Sequence, residues 1–345
     1  MRALTISANG GLDQLEYRTD LPIPEPGAGE VRIRVTAAAL NHLDLFVLAG
    51  LPGVKISPKW VMGADATGVI DTLGPGVDSV RAGETVIVNP GLSDGTCEYC
   101  KAGEQSSCVN FQLLGEHRSG TMAEYIVVPA KNVRSIPKSI PPESAAAFSL
   151  ATLTAWRMVH TRARVKKGEH VLIQGIGGGV AIAALQICKQ IGANVWVTSS
   201  SDEKLEKAQK LGADHTLNNR STDVAKEIRV RTNKRGVDAV IDSVGEATWN
   251  SSLGALAKQG RLVTCGVSSG PKLETDGRRL FWNQWDILGS TMGNDAEFDA
   301  IAAELRKGNL LPPVDSVFGL EKGRDAFARL QKAEQFGKVV VKISE

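Results

Sequence analysis

Long apolar runs are absent: no uninterrupted stretch approaches the length that a membrane-spanning helix needs, so a helical membrane protein is excluded. Charge of one sign is absent as well. Lysine and arginine number 40 against 38 for aspartate and glutamate, a formal net charge of +2, so no strong field gathers polyanions and nucleic acid is not an expected partner. The opening Met-Arg-Ala-Leu-Thr-Ile-Ser-Ala-Asn has no apolar core before Gly10 and Gly11. A secretory signal of the usual design is therefore not expected, and the cytoplasm is. Internal repeats and low-complexity stretches are missing too. Cysteine is scarce and odd in number, five in all, with Cys97, Cys100 and Cys108 bunched and Cys188 and Cys265 alone in apolar runs. That pattern speaks for reduced thiols and a metal rather than a disulfide framework, with Cys188 and Cys265 as core residues.

What is present suffices for two cores: 345 residues, 42% of them hydrophobic. The first third reads as short strands between turns, at Val31 to Ala37, Gly63 to Leu73 and Thr85 to Val88. After Ile136-Pro137 the texture changes, and Pro141-Pro142-Glu143 opens a helical run to Met158. From His170 strands and helices alternate. Strands are expected at His170 to Gln174, Asn194 to Thr198, Val237 to Asp242 and Arg261 to Cys265, and helices at Val180 to Ile191 and Asp202 to Leu211, the second capped by Ser201. Such alternation implies right-handed βαβ units in a doubly wound parallel sheet. An amphipathic helix at Glu297 to Lys307 and a strand at Lys338 to Ile343 follow, the strand returning to the first domain.

Between the strand at His170 and the helix from Val180 lies Gly175-Ile176-Gly177-Gly178-Gly179-Val180. Glycines admit a pyrophosphate close to the backbone, and the helix N-terminus binds its charge, so this turn is a dinucleotide cradle. Ala181 stands where a third fingerprint glycine often sits. Sites selective for NAD place an acid at the end of the second strand, about 20 residues on. Here Thr198-Ser199-Ser200-Ser201 occupy that place, and Lys204 follows. Hydroxyls leave room for a 2′-phosphate and the lysine supplies charge, so NADP(H) is expected over NAD(H). The other reading keeps Ser201 as a cap, Lys204 as a solvated side chain and Asp202 on the ribose.

Asp94, Cys97, Cys100 and Cys108 bring four potential ligands into a short polar segment, about residues 91–110. With little apolar content the lobe needs another source of shape, and one structural zinc supplies it. Glu98 or Glu104 are alternatives to Asp94.

The chain resembles the medium-chain dehydrogenase/reductase family, on Gly63-Ala64-Asp65-Ala66-Thr67-Gly68-Val69, the cysteine lobe, Gly120-Thr121-Met122-Ala123-Glu124-Tyr125 and the glycine turn. The resemblance implies an α/β protein, a doubly wound Rossmann sheet with a GroES-like, mostly β catalytic domain, and an active site in the cleft between them. Expected boundaries are 1–130 for the catalytic domain, 131–295 for the Rossmann domain and 296–345 for the returning segment. The branch that oxidises alcohols holds a catalytic zinc through a Cys, a His and a third Cys or Asp. The matching positions here are Asn41, Ala64 and Leu150, and Leu43 stands where a relay hydroxyl is usual. An amide is a poor zinc ligand and a methyl or isobutyl group is none.

What remains resembles the zinc-free quinone and enone reductases. Hydride then reaches an activated double bond or carbonyl of a small-molecule substrate, with the Asn41 amide stabilising the carbonyl oxygen and Asp65 beside it. Asn41 on the cofactor ribose is the equal alternative. The resemblance also assigns His42 to the pyrophosphate, with a partly buried histidine as the other possibility. Thr154, Gly266, Val267, Ser290 and Thr291 are assigned to the nicotinamide end. His42, Asp44, Asp65 and His117 offer an atypical metal site, which is the ground for a competing reading as a zinc alcohol dehydrogenase. A non-catalytic nucleotide-binding protein is the third. By resemblance a homodimer or homotetramer is expected, paired near Trp285 to Ser290.

Overall fold

The computed structural model describes residues 1–344, which divide into two compact units. One holds Met1–Ala151 and the C-terminal stretch from Asn294 on; the other is Thr152–Gly293. The strand at Val133–Ser135 pairs with that at Thr85–Val88, and the helix at Pro142–Ala146 packs on the strands at Glu30–Ala39 and Asp65–Leu73. Those contacts carry the first unit past the expected boundary at residue 130 to Ala151.

In chain order the first unit supplies β1 (Glu30–Ala39), β2 (Asp65–Leu73), β3 (Thr85–Val88), β4 (Tyr125–Pro129) and β5 (Val133–Ser135). The second supplies β6 (His170–Ile173), β7 (Asn194–Ser199), β8 (His215–Asn218), β9 (Val237–Asp242), β10 (Leu256–Thr264) and β11 (Asp286–Gly289). The chain then returns with β12 (Val314–Gly319) and β13 (Lys338–Lys342).

In the first unit the order is β5-β3-β2-β1-β13-β12, with β4 also on β1. Alternation along β1 puts Val31, Ile33 and Val35 into a core shared with Val86, Val88, Phe327 and Val341. Side chains of that size contribute about 1.5–3 kcal/mol each when buried. The sequence places β13 in this sheet correctly: it runs antiparallel to β1, pairing Val340 with Ala39 and Val341 with Ala38. Its parallel neighbour β12 carries no clear alternation and was not expected.

The second unit is the doubly wound sheet, six parallel strands in the order β8-β7-β6-β9-β10-β11. Helices follow the strands at Gly179–Ile191 and Asp202–Lys210. Strand β10 begins at Leu256, five residues before the expected Arg261, because Leu256 pairs with Val237 ahead of a register shift. The helical run expected from Pro141 to Met158 is broken into Pro142–Ala146 and Ser149–Trp156 and ends in a π-helical turn over Arg157–Arg162. Among the described residues no helix is long and apolar enough to cross a membrane.

Candidate functional sites: a polar centre, a cysteine lobe and a dinucleotide cradle

The polar centre belongs to the first unit. Asn41 ends β1 and caps the helix His42–Ala49, closing a capping box in which its backbone N–H donates to Asp44 Oδ2 at 2.7 Å. Asp65 opens β2, opposite Ala39 in the sheet. Its Oδ2 accepts from Asn41 Nδ2 at 3.0 Å and its Oδ1 from the Leu150 N–H at 2.7 Å. The positions assigned by resemblance to a catalytic zinc therefore do gather about Asp65, but as an amide, a methyl and an isobutyl group.

A residue that pattern reading missed completes the centre. Lys338, the first residue of β13, donates from Nζ to Asp65 Oδ2 at 3.0 Å and to Asn41 Oδ1. Lys338 is 3% exposed, Asp65 0% and Asn41 8%, so this is a buried ion pair with an amide between its members. The only signal available in sequence was a lysine at the head of an otherwise apolar strand, which reads equally well as a solvated strand end. Burial pushes the Asp44 carboxyl up to about 7.

His42 keeps solvent-accessible surface, yet burial first and the Lys338 ammonium second lower its pKa; His117 is exposed, and its Nδ1 accepts from the Leu113 N–H at 3.3 Å. With Asp44 and Asp65 they do not converge on a metal site. Among the described residues the one such group is Asp94, Cys97, Cys100 and Cys108.

In that lobe the pair Gly91–Leu92 with Gln112–Leu113 closes the base, and Cys97 starts a short helix, Glu98–Lys101. The four ligand atoms lie within 4.8 Å of one another. Thiolates about 2.3 Å from a tetrahedral zinc stand ~3.8 Å apart, so an ion requires movements of about an ångström. Asp94 is held for the role: Oδ1 accepts from the N–H groups of Thr96 at 2.8 Å and Cys97 at 3.0 Å, and Oδ2 from Asn110 Nδ2 at 2.8 Å. Those bonds, the Thr96 N–H foremost, keep its carboxyl well below the usual range. Backbone N–H groups of Asp94 and Asn110 both point at Cys108 Sγ, at 3.4 Å, as a thiolate favours. Glu98 and Glu104 are not in the group.

The cradle belongs to the second unit. Gly175 has φ 68°, and a Cβ there would stand 2.8 Å from Val244 Cγ2, so the turn after β6 admits only glycine. Gly177 has φ 129°, and Gly178 caps the helix whose first residues are Gly179 and Val180. A Cβ on Gly178 would meet nothing within 4 Å, so open space lies before the unpaired N–H groups of the helix start. At the end of β7, Ser199 Oγ accepts from the Ser201 N–H, and Ser201 Oγ caps the next helix at the Lys204 N–H. Asp202 Oδ1 accepts from Asn218 Nδ2 at 2.7 Å. Sequence reading missed Arg220, an exposed side chain on a loop tied to β7 by the bond from Asn219 N to Ser199 O, 3.0 Å.

Thr154 donates to Met292 Sδ at 3.7 Å, Thr264 Oγ1 to Gly266 O at 3.1 Å, and Ser290 N to Thr264 O at 2.9 Å. Val267 and Thr291 are exposed, as is Ser200. Ser290 Oγ is buried without a hydrogen-bond partner, a free polar atom among the residues expected at the nicotinamide end. The glycine turn, the open helix start and this orphan hydroxyl fit a nicotinamide dinucleotide.

A parallel sheet ordered 3-2-1-4-5-6 with a glycine turn after its first strand, joined to a β-rich unit with a cysteine lobe, defines the class as a dinucleotide-dependent oxidoreductase. Comparison gives the family. The chain matches the family models for an alcohol dehydrogenase GroES-like domain over residues 27–138 and a zinc-binding dehydrogenase over residues 179–307. It is 32% identical to an NAD-dependent alcohol dehydrogenase of Sulfolobus acidocaldarius, covering 100% of both chains. It is 30% identical to an acryloyl-coenzyme A reductase of Sulfurisphaera tokodaii, covering 94% of this chain and 95% of that one. A crystal structure of an NAD-dependent alcohol dehydrogenase superposes with a TM-score of 0.96 at 43% identity, over 100% of both chains. The chain belongs to the medium-chain dehydrogenase/reductase family and is a nicotinamide-dependent oxidoreductase of small molecules.

Proposed function

We propose that the protein reduces an activated double bond or carbonyl, as in a quinone, enone or similar compound, using NADPH and no catalytic zinc. The observation that carries this reading is the polar centre: a lysine ammonium lies against Asp65 and Asn41, and among the described residues the one cluster of three or more metal-ligating side chains is the cysteine lobe. The reduced nicotinamide, when bound, would supply the hydride, and solvent water the proton that neutralises the resulting oxyanion. Asn41 turns an amide N–H toward the acceptor oxygen as it gains negative charge, and Asp65 holds that amide. The cradle at Gly177, Gly178, Gly179 and Val180 takes the pyrophosphate, and His42 is proposed as a further cofactor contact. Thr154, Gly266, Val267, Ser290 and Thr291 hold the nicotinamide end.

Preference for the phosphorylated cofactor rests on Ser199 and Ser200, on Lys204 in the first turn of the helix that follows, and on Arg220 in the loop tied to Ser199 through Asn219. Asp202, the acid that would favour NADH, is already hydrogen-bonded to Asn218. The S. acidocaldarius relative is named as NAD-dependent, which favours the second reading, an NADH enzyme on the same site. One structural zinc in the lobe, a homodimer or homotetramer paired along the edge strand β11, and a place in the cytoplasm complete the proposal. None of the five cysteines is in a disulfide, as suits that compartment.

The test is binding and turnover with both cofactors on protein of measured metal content. About one zinc per chain, tighter binding of NADPH and turnover of a simple quinone or enone support the proposal. Two zincs per chain, or a clear preference for NADH, overturn the corresponding part.

A further inference from the structure

We propose that Lys338 is the positioning residue of the polar centre: with Asp65 it fixes the Asn41 amide in the one orientation that leaves an N–H for the acceptor oxygen. The inference rests on the reading of Asn41 given above and names what makes that residue competent.

An amide side chain in isolation turns over freely, because its oxygen and nitrogen ends are almost the same size. Asn41 cannot do so here. Its Oδ1 faces the Lys338 ammonium and its Nδ2 faces Asp65 Oδ2 at 3.0 Å. Reversed, the amide would set its NH2 group against the ammonium and its carbonyl against a carboxylate, both repulsive at about 3 Å in a site shielded from water. The two charges thus read the two ends of the amide.

They also divide its donors. One Nδ2 hydrogen serves Asp65; the nearest acceptor for the other is Ala39 O at 3.5 Å, the outer limit of a hydrogen bond. That second hydrogen is the one offered to a developing oxyanion. The ammonium, for its part, is placed by the fold. Gly337 has φ 110°, and a Cβ on it would lie 2.3 Å from Pro313 O, while the Lys338 N–H donates to the same Pro313 O at 3.0 Å. Only glycine admits the turn that delivers lysine to the head of β13. The pair Lys338 and Asp65 is charge-neutral, so the centre is complete without a dication.

Four proteins test this: wild type, Lys338→Arg, Lys338→Met, and Lys338→Met combined with Asp65→Asn, which removes both charges and spares the fold an unpaired one. With NADPH and a simple quinone, Lys338→Met and the double variant are expected to lose about 100-fold in kcat while NADPH affinity stays within about twofold, and Lys338→Arg to keep about a tenth of wild-type kcat. A second readout does not depend on turnover. In protein labelled with 15N-asparagine, the Asn41 side-chain amide, assigned by its loss in Asn41→Ala, should exchange slowly with solvent in the wild type and rapidly in the double variant. A double variant with wild-type kcat, or with an unchanged Asn41 amide, overturns the role of Lys338. Wild-type protein that shows the slow amide but turns over no quinone or enone leaves Lys338 in place and removes the proposed substrate class instead.

Discussion

The cysteine lobe and the polar centre are two clusters of buried or half-buried polar groups in one unit, and they solve opposite problems. The lobe gathers three cysteine sulfurs and a carboxylate at metal-ligand spacing, the donor set that the proposed structural zinc would use. The polar centre gathers carboxylates and an amide around a lysine that the chain itself supplies. A cation delivered as a side chain cannot be lost to a chelator, and it does not polarise an oxygen as a Lewis acid does. The difference teaches that zinc content and zinc chemistry can be tested apart: under the proposal this chain keeps the ion as scaffold and dispenses with it as reagent.

The strongest way to break this comparison is to remove the lobe's ion. Exhaustive chelation, or Cys100→Ser, is expected to cost about 5 kcal/mol, a fall of more than about 10 °C in Tm, since the lobe has few apolar side chains to hold it otherwise. Calorimetry that finds equal melting temperatures with and without metal would make the lobe a passive thiol cluster.

Next in size is the pH dependence that the polar centre imposes. Asp44 has its folded pKa raised to about 7, whereas an unfolded Asp titrates near ~3.9. Between those values the folded chain holds a proton that the unfolded chain has released. The contribution is therefore fully present below about pH 4 and is lost as pH rises through about 7, up to about 4 kcal/mol. Denaturant titrations across that range should show the decline in wild type and a flatter profile in Asp44→Asn; parallel profiles would show that Asp44 is not the group responsible.

Asn41→Ala should lower kcat with an enone about 100-fold, close to 3 kcal/mol of barrier, and lower the melting temperature by a few degrees through loss of the helix cap. Steady-state kinetics indistinguishable from wild type would take Asn41 out of the mechanism. The smallest effect sharpens the comparison on the other side. Asn110→Ala removes the bond to Asp94 Oδ2 and is expected to weaken zinc retention by about 1 kcal/mol, read as roughly a fivefold faster loss to a competing chelator.

Much of this architecture is written in local pattern. The alternation of β1, the strand and helix run from His170 and the glycine turn with its helix each depend on residues within one or two turns of one another. The cysteine lobe is equally legible, because its four ligand atoms come from residues 94 to 108 and metal spacing is a short-range property. The strand β12 was not legible, since edge position depends on what packs alongside.

Sequence by itself determined the family, the doubly wound sheet and the composition of the lobe, because periodicity and spacing act over short stretches of chain. Tertiary structure alone decided the identity of the polar centre. Asn41 and Lys338 are 297 residues apart and Asp65 and Lys338 are 273 apart; they meet because β13 returns antiparallel to β1, beside β2. A lysine at a strand end is a solvated charge until a sheet closes over it. Burial, which no single position in the sequence records, is what turns it into an internal cation.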